Sequence, residues 1–403
     1  MTISPRLTFF CELEHAAFAR LFAEPTVIEH VRALEAGICV GVMDLSAERA
    51  AVLRRLSEAG IPLTAWLLLP EDQGYWFNVN NYREAVARYA AFQEWTAEHG
   101  LTWRAIGLDI EFDMRDLRAV LADRRQLARV MLRNLFDHQQ RRRAVATYHA
   151  LAERIRADGY QTESYILPFA LDERRVGATL LQRLTGLLDV PVDRELPMLY
   201  SSFLRPFGAG VLWSYGRDVQ ALAVGSTGGG VSVGGADRIA PLSWEELARD
   251  LRLAHRLCDT IAIFSLEGCV HAGYLERLRS FDWDAPVDLP AREAMQVERF
   301  RALLRSILWI SAHMPQIALA AVGTSAVVWW AQRGPLTCRV FGRDERCSAF
   351  PCAVAPLPPC PLSTHRGRRG SLGVLMAETG DGMQGLPRKP APVRTPPRPA
   401  PAR

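Results

Sequence analysis

The sequence has few of the features that mark secreted, zinc-binding or nucleotide-binding proteins. No apolar run near the start is long enough for a secretion signal, because Glu12 and Glu14 interrupt it, so no signal peptide is expected. The nine histidines show no metal-ligand spacing, and the eight cysteines indicate neither a zinc knuckle nor a disulfide framework. The glycine-rich run 225–230 could wrap a phosphate but lacks the Lys-Ser/Thr pair of a nucleotide-binding loop. The main interpretation therefore includes no metal ion or other cofactor.

Charge is unevenly distributed along the chain, although the formal net charge is only +4. Residues 332–403 hold twelve Arg and Lys against four Asp and Glu, so the part before them is mildly acidic. An acidic folded part gives no electrostatic reason to expect nucleic acid as a partner. Thirteen of the 25 prolines also fall in 332–403, a composition that predicts a disordered tail.

Short apolar, β-rich runs alternate with long amphipathic stretches over residues 1–285, which predicts a (β/α)8 TIM barrel. A doubly wound open sheet is the alternative. The predicted strands are 7–14, 37–44, 62–69, 105–111, 160–169, 197–203 and 260–267, with either 208–215 or 221–226 as the seventh.

Two helical segments are expected after the barrel. Residues 286–306 read as an amphipathic linker helix, and 307–331 form an uncharged, mostly apolar stretch long enough to cross a bilayer. The stretch ends in Trp329 and Trp330, aromatic residues typical of membrane interfaces. A transmembrane helix and a helix packed on the barrel both fit, so the predicted location is membrane-associated or cytoplasmic.

Strand parity predicts where the chemistry lies, because alternate side chains of a barrel strand face the interior and reacting groups follow strand ends. In the fourth strand Asp109 and Glu111 lie on one face, and Asp113 continues that face beyond the strand. The same logic collects further side chains from the other strands and the loop after the third: Glu12, Glu14, Trp66, Tyr75, Trp76, Asn78, Glu163, Tyr165, Tyr200, Ser202 and Glu267.

Several acids near one mouth raise each other's pKa, so at least one is expected to hold a proton near neutrality. A protonated carboxyl beside an ionised one is the pair that glycosidic bond cleavage requires, and aromatic rings offer flat faces for sugars. Each residue also has a structural alternative. Asp109 or Glu111 could pair with an arginine, Glu12, Glu14 and Glu267 could be structural, and Trp66 could be a core residue.

The segment Gly107-Leu-Asp-Ile-Glu-Phe-Asp resembles the chitinase-type glycoside hydrolases, whose fourth strand ends in D-x-x-D-x-D-x-E. Asp109 matches the last aspartate and Glu111 the catalytic acid, whereas Gly107 and Arg104 stand at the two earlier aspartates. The motif is also similar to retaining barrel glycosidases with glutamates after strands four and seven. That resemblance implies Glu111 as acid/base and Glu267 as nucleophile.

Three functions follow as hypotheses. The first is a glycosidase acting on a carbohydrate, with Glu111 as general acid/base, Asp109 as its neighbour, and Glu267 or Glu163 as second carboxylate. The second is a metal-dependent sugar isomerase or phosphodiesterase with carboxylate ligands at Glu14, Asp109, Glu111 and Glu267. The third is a non-catalytic glycan-binding protein tethered to a membrane through residues 307–331.

Overall fold

The predicted parallel eight-stranded barrel with surrounding helices is confirmed by a computed structural model, which describes residues 5–230 and 239–333. All strand pairs are parallel. The strands are β1 Arg6–Cys11, β2 Gly37–Val42, β3 Leu63–Leu67, β4 Ala105–Leu108, β5 Gln161–Ile166, β6 Arg194–Pro197, β7 Ala221–Gly225 and β8 Thr260–Phe264.

The sheet curls into a nearly closed barrel in which β1 pairs with both β2 and β8. Its two outermost strands, β6 and β7, meet just beyond the end of β6. There Met198 forms a parallel bridge with Ala223, and the Leu199 N–H donates to the Ala223 carbonyl oxygen at 2.8 Å. The barrel therefore has no long exposed strand edge at this junction.

The sixth strand lies earlier than expected, and the segment after it is helical. Residues 201–204 form a 3-10 turn and 208–216 a buried helix, which leaves Ala221–Gly225 as the seventh strand. A short apolar run does not distinguish a strand from a buried helix. Gly208 is required there, because an added Cβ would lie 2.2 Å from the Ser201 carbonyl oxygen.

The described residues form fourteen α-helices that surround the strands. The predicted capping box is present at Ser243 and Glu246, where each side chain accepts from the other residue's backbone N–H. The helices are α1 His15–Ala23, α2 Pro25–Ala33, α3 Ala47–Glu58, α4 Tyr82–His99, α5 Met114–Ala122, α6 Arg125–Phe136, α7 His138–Ala157, α8 Phe169–Val176, α9 Leu180–Thr185, α10 Gly208–Gly216, α11 Trp244–His255, α12 Leu266–His271, α13 Tyr274–Arg279 and α14 Ala291–Arg333.

Side chains on the two faces of the strands belong to two separate hydrophobic clusters. On β4, Ile106 and Leu108 pack with the helix layer, as does Ile110 just beyond the strand. The smaller cluster fills the barrel interior and includes Phe10, Trp66 and Tyr165. The alternation predicted for this strand is thus present, with Gly107 and Asp109 on the inner side.

Residues 286–306 and 307–331, predicted as separate segments, share the single helix α14. None of the helices in the described ranges combines the length and the apolar character that crossing a bilayer requires, so the transmembrane prediction for 307–331 is not supported. Near its start α14 packs closely on α10, where an added Cβ at Gly210 would lie 2.6 Å from the Glu293 backbone. The predicted disordered tail lies outside the described residues from 334 onward.

A buried arginine fixes α14 against the barrel. The Arg301 side chain is 1% exposed and forms ion pairs with Asp172 at 3.1 Å and Asp218 at 2.6 Å. Its guanidinium also donates to the Ser214 carbonyl oxygen at 2.9 Å and lies 3.8 Å from the centre of the Tyr215 ring. Each partner satisfies a different side of the cation, which offsets the cost of removing it from water.

Replacing Arg301 by methionine should lower the free energy of unfolding by about 3–5 kcal/mol, because Asp172 would keep a buried charge with one cation fewer. Chemical denaturation followed by circular dichroism measures the change. Arg299→Met is the matched control, since Arg299 is exposed on the same helix. The control should shift stability by no more than about 0.5 kcal/mol. Equal effects of the two substitutions would contradict the structural role of Arg301.

Candidate functional site

The loop after β3 is attached to the end of β4 and extends the barrel at its carboxyl-terminal end. The Phe77 N–H donates to the Asp109 carbonyl oxygen at 3.0 Å, and the Glu111 N–H donates to the Phe77 carbonyl oxygen at 2.9 Å. These two bonds continue the β4 pairing past Leu108. They hold Asp109 and Glu111 at the strand end, where barrel enzymes place their reacting groups.

A cavity of about 1130 Å³ opens at this end of the barrel. It is larger than most pockets for drug-sized ligands, which measure roughly 300–1,000 Å³. Seven of the side chains predicted for the site line it: Glu12, Trp66, Trp76, Asp109, Glu111, Tyr165 and Tyr200. The structure thus brings together the acids from the first and fourth strands with most of the predicted aromatic residues.

The carboxyl groups of Asp109 and Glu111 are shifted towards their protonated forms. Burial raises the pKa of Asp109 well above its ordinary value, and the nearby charges of Glu111 and Glu12 raise it further. Burial also raises the pKa of Glu111 to about 7. The upward shift favours the protonated form of Asp109, which lies near a Glu111 that is divided between its two forms near neutral pH.

Two polar atoms at the cavity lack a hydrogen-bond partner within the protein, namely Oδ1 of Asp109 and Nε1 of Trp66. Both residues line the cavity and are deeply buried, at 2% and 4% exposed. The Trp66 indole is close enough to Asp109 to lower its pKa, against the larger effect of burial. Unpaired buried polar atoms are costly, so this pair is suited to a ligand oxygen.

Glu12 is held by the loop after β3. Tyr75 donates its hydroxyl proton to Glu12 Oε1 at 2.9 Å. Its backbone adopts the left-handed conformation, with φ of 63°, which costs on the order of 1 kcal/mol for a non-glycine residue. Local strain of this kind is common at ligand sites. Tyr75 therefore acts as a positioning residue and contacts Glu12, although its own side chain is not part of the cavity surface.

The glycine-rich run contacts carboxylates and not a phosphate site. The Gly230 N–H donates to Glu267 Oε1 at 3.1 Å. An added Cβ at Gly229 would lie 2.4 Å from the Glu267 side chain, and one at Gly230 would lie 2.6 Å from Glu12 Oε2. Glycine is needed at these positions because the backbone passes close to two acidic side chains. Acidic side chains repel a phosphate, so the run does not suit a phosphate site.

The remaining aromatic residues fix the interior below the acids. The Tyr165 hydroxyl lies 2.8 Å from Cys39 Sγ and fills the space where Gly107 has no side chain. A Cβ at Gly107 would lie 2.3 Å from the Tyr165 hydroxyl oxygen, which explains glycine at this position of the motif. Burial raises the pKa of Tyr200, and the charges of Asp109 and Glu111 raise it further, so its hydroxyl remains a hydrogen-bond donor.

The structure does not bring Glu163 or Glu267 to the cavity surface. Glu163 accepts from Arg104 at 3.1 Å and from Arg194 at 3.2 Å, and both arginines stand at the amino-terminal end of their strands. Glu267 lies in the first turn of α12, and its Oε1 accepts from the Glu12 and Gly230 backbone N–H groups. Both predicted second carboxylates therefore have structural partners.

Four other predicted binding residues also serve the framework outside the cavity lining. Glu14 is exposed at the start of α1, and Asp113 caps α5 and pairs with Arg115. Asn78 is buried within the loop after β3, where its side-chain amide donates to the Trp76 carbonyl oxygen. The Ser202 hydroxyl accepts from the Ser226 N–H at 2.9 Å.

Sequence analysis missed the apolar walls of the cavity. They come from six separate stretches of the chain, several of which were predicted as strands and one as a linker helix. The only signal was the density of apolar residues in 203–211. The wall residues are Leu117, Leu121, Leu167, Pro168, Phe169, Met198, Phe203, Leu204, Phe207, Val211, Tyr215, Ile239, Pro241, Phe264, Val297 and Phe300.

The carboxylates proposed as metal ligands do not converge. Within residues 5–230 and 239–333, no three His, Cys, Asp or Glu side chains are arranged to hold one metal ion. Of the four predicted ligands, Glu14 is exposed and does not line the cavity, and Glu267 accepts from backbone N–H groups. The residues present do not fit the metal centre that the second hypothesis requires.

Comparisons with known proteins give no family for this chain. No protein-family model matches it, and no curated protein matches it. Among solved structures, it is similar to a xylose isomerase domain containing protein from Salmonella typhimurium LT2, with 14% identity, coverage of 75% of this chain and 99% of that chain, and a TM-score of 0.37. It is also similar to a xylose isomerase domain protein from Planctomyces limnophilus, with 12% identity, coverage of 70% of this chain and 98% of that chain, and a TM-score of 0.38. A third similar structure is a D-psicose 3-epimerase, with 14% identity, coverage of 75% of this chain and 99% of that chain, and a TM-score of 0.33.

The glycoside hydrolase prediction is corrected here. The chain itself supplies a physical reason. Glu163 and Glu267, the two groups predicted to act opposite Glu111, are bound to arginines and to backbone N–H groups instead of lining the cavity.

The raised pKa of Glu111 predicts a pH-dependent effect on stability. Ionisation between the ordinary value of 4.5 and about 7 is less favourable in the folded chain, so the charge lowers stability as pH rises through this window. Glu111→Gln should therefore increase the free energy of unfolding at pH 8 by up to about 3 kcal/mol and leave it unchanged at pH 4.

Urea denaturation at the two pH values measures this difference. Glu29→Gln is the matched control, because Glu29 is exposed on α2 and the substitution should change stability by less than about 0.5 kcal/mol at either pH. A Glu111→Gln variant that is no more stable than the parent at pH 8 would contradict the assigned pKa.

Proposed function

We propose that the chain is an acid–base enzyme of the sugar isomerase or epimerase type, which moves a proton at the carbon next to a carbonyl group. One observation carries the proposal. A neutral Asp109 carboxyl and an unpaired Trp66 N–H lie beside Glu111, whose pKa is near 7, in a single cavity. An acid or base is most effective when its pKa lies near the working pH.

Glu111 in its ionised form would remove the proton. The C–H bond next to the carbonyl breaks, its electron pair forms a carbon–carbon double bond, and the carbonyl oxygen gains negative charge or a proton. Return of the proton to the former carbonyl carbon, whose oxygen ends as a hydroxyl, gives an isomer when the hydroxyl on the first carbon loses its own proton and becomes the new carbonyl. Return of the proton to the other face of the first carbon restores the original carbonyl and gives an epimer. No oxidant or reductant is consumed in either case.

Asp109 and Trp66 would stabilise the charge that develops on the carbonyl oxygen. A protonated carboxyl and an indole N–H are both donors, and Asp109 Oδ1 and Trp66 Nε1 have no hydrogen-bond partner among the described residues. Donors that are fixed before the reaction and shielded from water are worth more than donors in water. Tyr200, which keeps its proton, is available for a substrate hydroxyl.

A carbohydrate substrate fits these groups, because sugars combine a carbonyl group with several hydroxyls. The test is to incubate the purified chain with a panel of aldoses and ketoses in D2O and to detect deuterium at the carbon next to the carbonyl by NMR. Glu111→Gln should slow incorporation by about 10²–10⁴-fold, since the base is lost.

Glu29→Gln controls for the change of charge and should leave the rate of incorporation unchanged, because Glu29 is exposed on α2. Treatment with a chelator before the assay should also leave the rate unchanged. Absence of deuterium across the panel, or full activity of Glu111→Gln, would refute the proposed proton transfer.

Trp66→Phe distinguishes the contribution of the indole N–H from that of the aromatic ring. The substitution keeps an aromatic residue in the barrel interior but removes one donor to the developing oxyanion. The turnover rate should fall by about 10²-fold, as for other single donors of this kind, with a smaller change in KM. A loss confined to KM would show that Trp66 only binds substrate.

A further inference from the structure

The cavity changes character along its depth. Its polar groups are concentrated around Glu12, Asp109 and Glu111, whereas the walls above them are almost entirely apolar. At 1130 Å³ the space exceeds what a single sugar ring needs. A free monosaccharide would therefore leave most of the apolar wall in contact with water.

Several wall residues are also exposed at the rim. Leu121, Phe203, Phe207 and Phe300 line the cavity, yet they are 51%, 50%, 43% and 63% exposed, respectively. Large apolar side chains gathered around an opening mark a surface that binds an apolar group. They come from α5, the segment after β6, and α14, so the rim surrounds the opening from several sides.

The charge of the lining limits which polar group an apolar ligand can carry. The described residues that line the cavity include three acids and no Arg, Lys or His. A carboxylate, sulfate or phosphate head would meet like charge from these acids. The unpaired Asp109 oxygen and Trp66 N–H instead suit an uncharged oxygen group such as a hydroxyl or carbonyl.

We propose that the ligand is an amphipathic sugar, with an uncharged hydroxylated head at Asp109 and Trp66 and an alkyl or similarly apolar tail along the wall to the rim. This inference rests on the proposed function for the position of the head. It adds the substrate class, because the tail would cover the apolar surface that a sugar alone leaves exposed.

Non-reactive alkyl β-glucosides test the proposal by binding alone. Methyl, hexyl and octyl β-glucosides, kept below their micelle concentrations, are titrated into the full chain by calorimetry. Affinity should rise about fourfold for each methylene between hexyl and octyl, because each buried CH2 contributes about 0.8 kcal/mol. Octyl sulfate, which has the same tail and an anionic head, should bind at least about tenfold more weakly than octyl glucoside.

Rim variants locate the tail. Phe207→Gln and Phe300→Gln should each weaken octyl glucoside binding by about tenfold and leave methyl glucoside binding unchanged. Phe136→Gln is the matched control, since Phe136 is 68% exposed on α6 and does not line the cavity. Its affinity for octyl glucoside should equal that of the parent chain.

Three binding results would overturn the proposal of an amphipathic ligand. One is affinity that does not depend on tail length, another is stronger binding of octyl sulfate than of octyl glucoside, and the third is equal loss in all three phenylalanine variants. Light scattering tests whether a second copy of the chain, instead of a ligand, occupies the apolar surface. A dimer that Phe300→Gln dissociates, with no alkyl glucoside binding, also overturns the proposal. None of these results bears on deuterium incorporation. Failure of the proposal of an apolar tail is therefore distinguishable from failure of the proposed proton transfer.

Discussion

Three carboxyl groups share one cavity at the end of the barrel, and no cation stands among the described residues that line it. Burial and mutual repulsion oppose their ionisation, so they can coexist there only if protons or hydrogen bonds replace counter-ions. The surrounding chain meets this requirement locally. Tyr75 donates to Glu12 from a left-handed backbone conformation, and burial raises the pKa of Asp109, which favours its protonated form. Such an arrangement is unfavourable for stability, which is why strained, desolvated acids mark functional sites.

Period-two alternation in β4 was sufficient to predict that Asp109 and Glu111 face inwards, because the apolar residues between them must meet the helices. The same rule misplaced Glu163. Alternation tells which face of a strand a residue occupies, but it does not tell whether the residue lies near the entrance or the far end of the barrel interior. That distinction depends on where β5 begins, and on Arg104 and Arg194 from the neighbouring strands, which meet only in the folded chain.

The apolar wall was harder to predict for a different reason. Runs such as 208–216 are buried on nearly all sides, so their hydrophobicity has no period that separates a helix from a strand. In 307–331 the same uniformity suggested a membrane span after an amphipathic linker helix. Hydropathy carries no sign of what α14 packs against. The decisive residue in that helix is Arg301, a charge that a sequence pattern assigns to solvent but that the fold buries against Asp172.

The ion cluster and the cavity are parts of one structure, because Tyr215 belongs to both. Its hydroxyl donates to Asp172 at 2.6 Å, its ring lies under the Arg301 guanidinium, and the same ring contributes to the cavity wall. Apolar contacts alone are non-directional and would tolerate sliding of α14 along the barrel. Charged groups with fixed partners define a single register for the helix, and Val297 and Phe300, within about one turn of Arg301, are thereby held at the cavity. Phe300 nevertheless stays mostly exposed, so apolar surface remains open to solvent at the rim of the cavity that this helix helps to form.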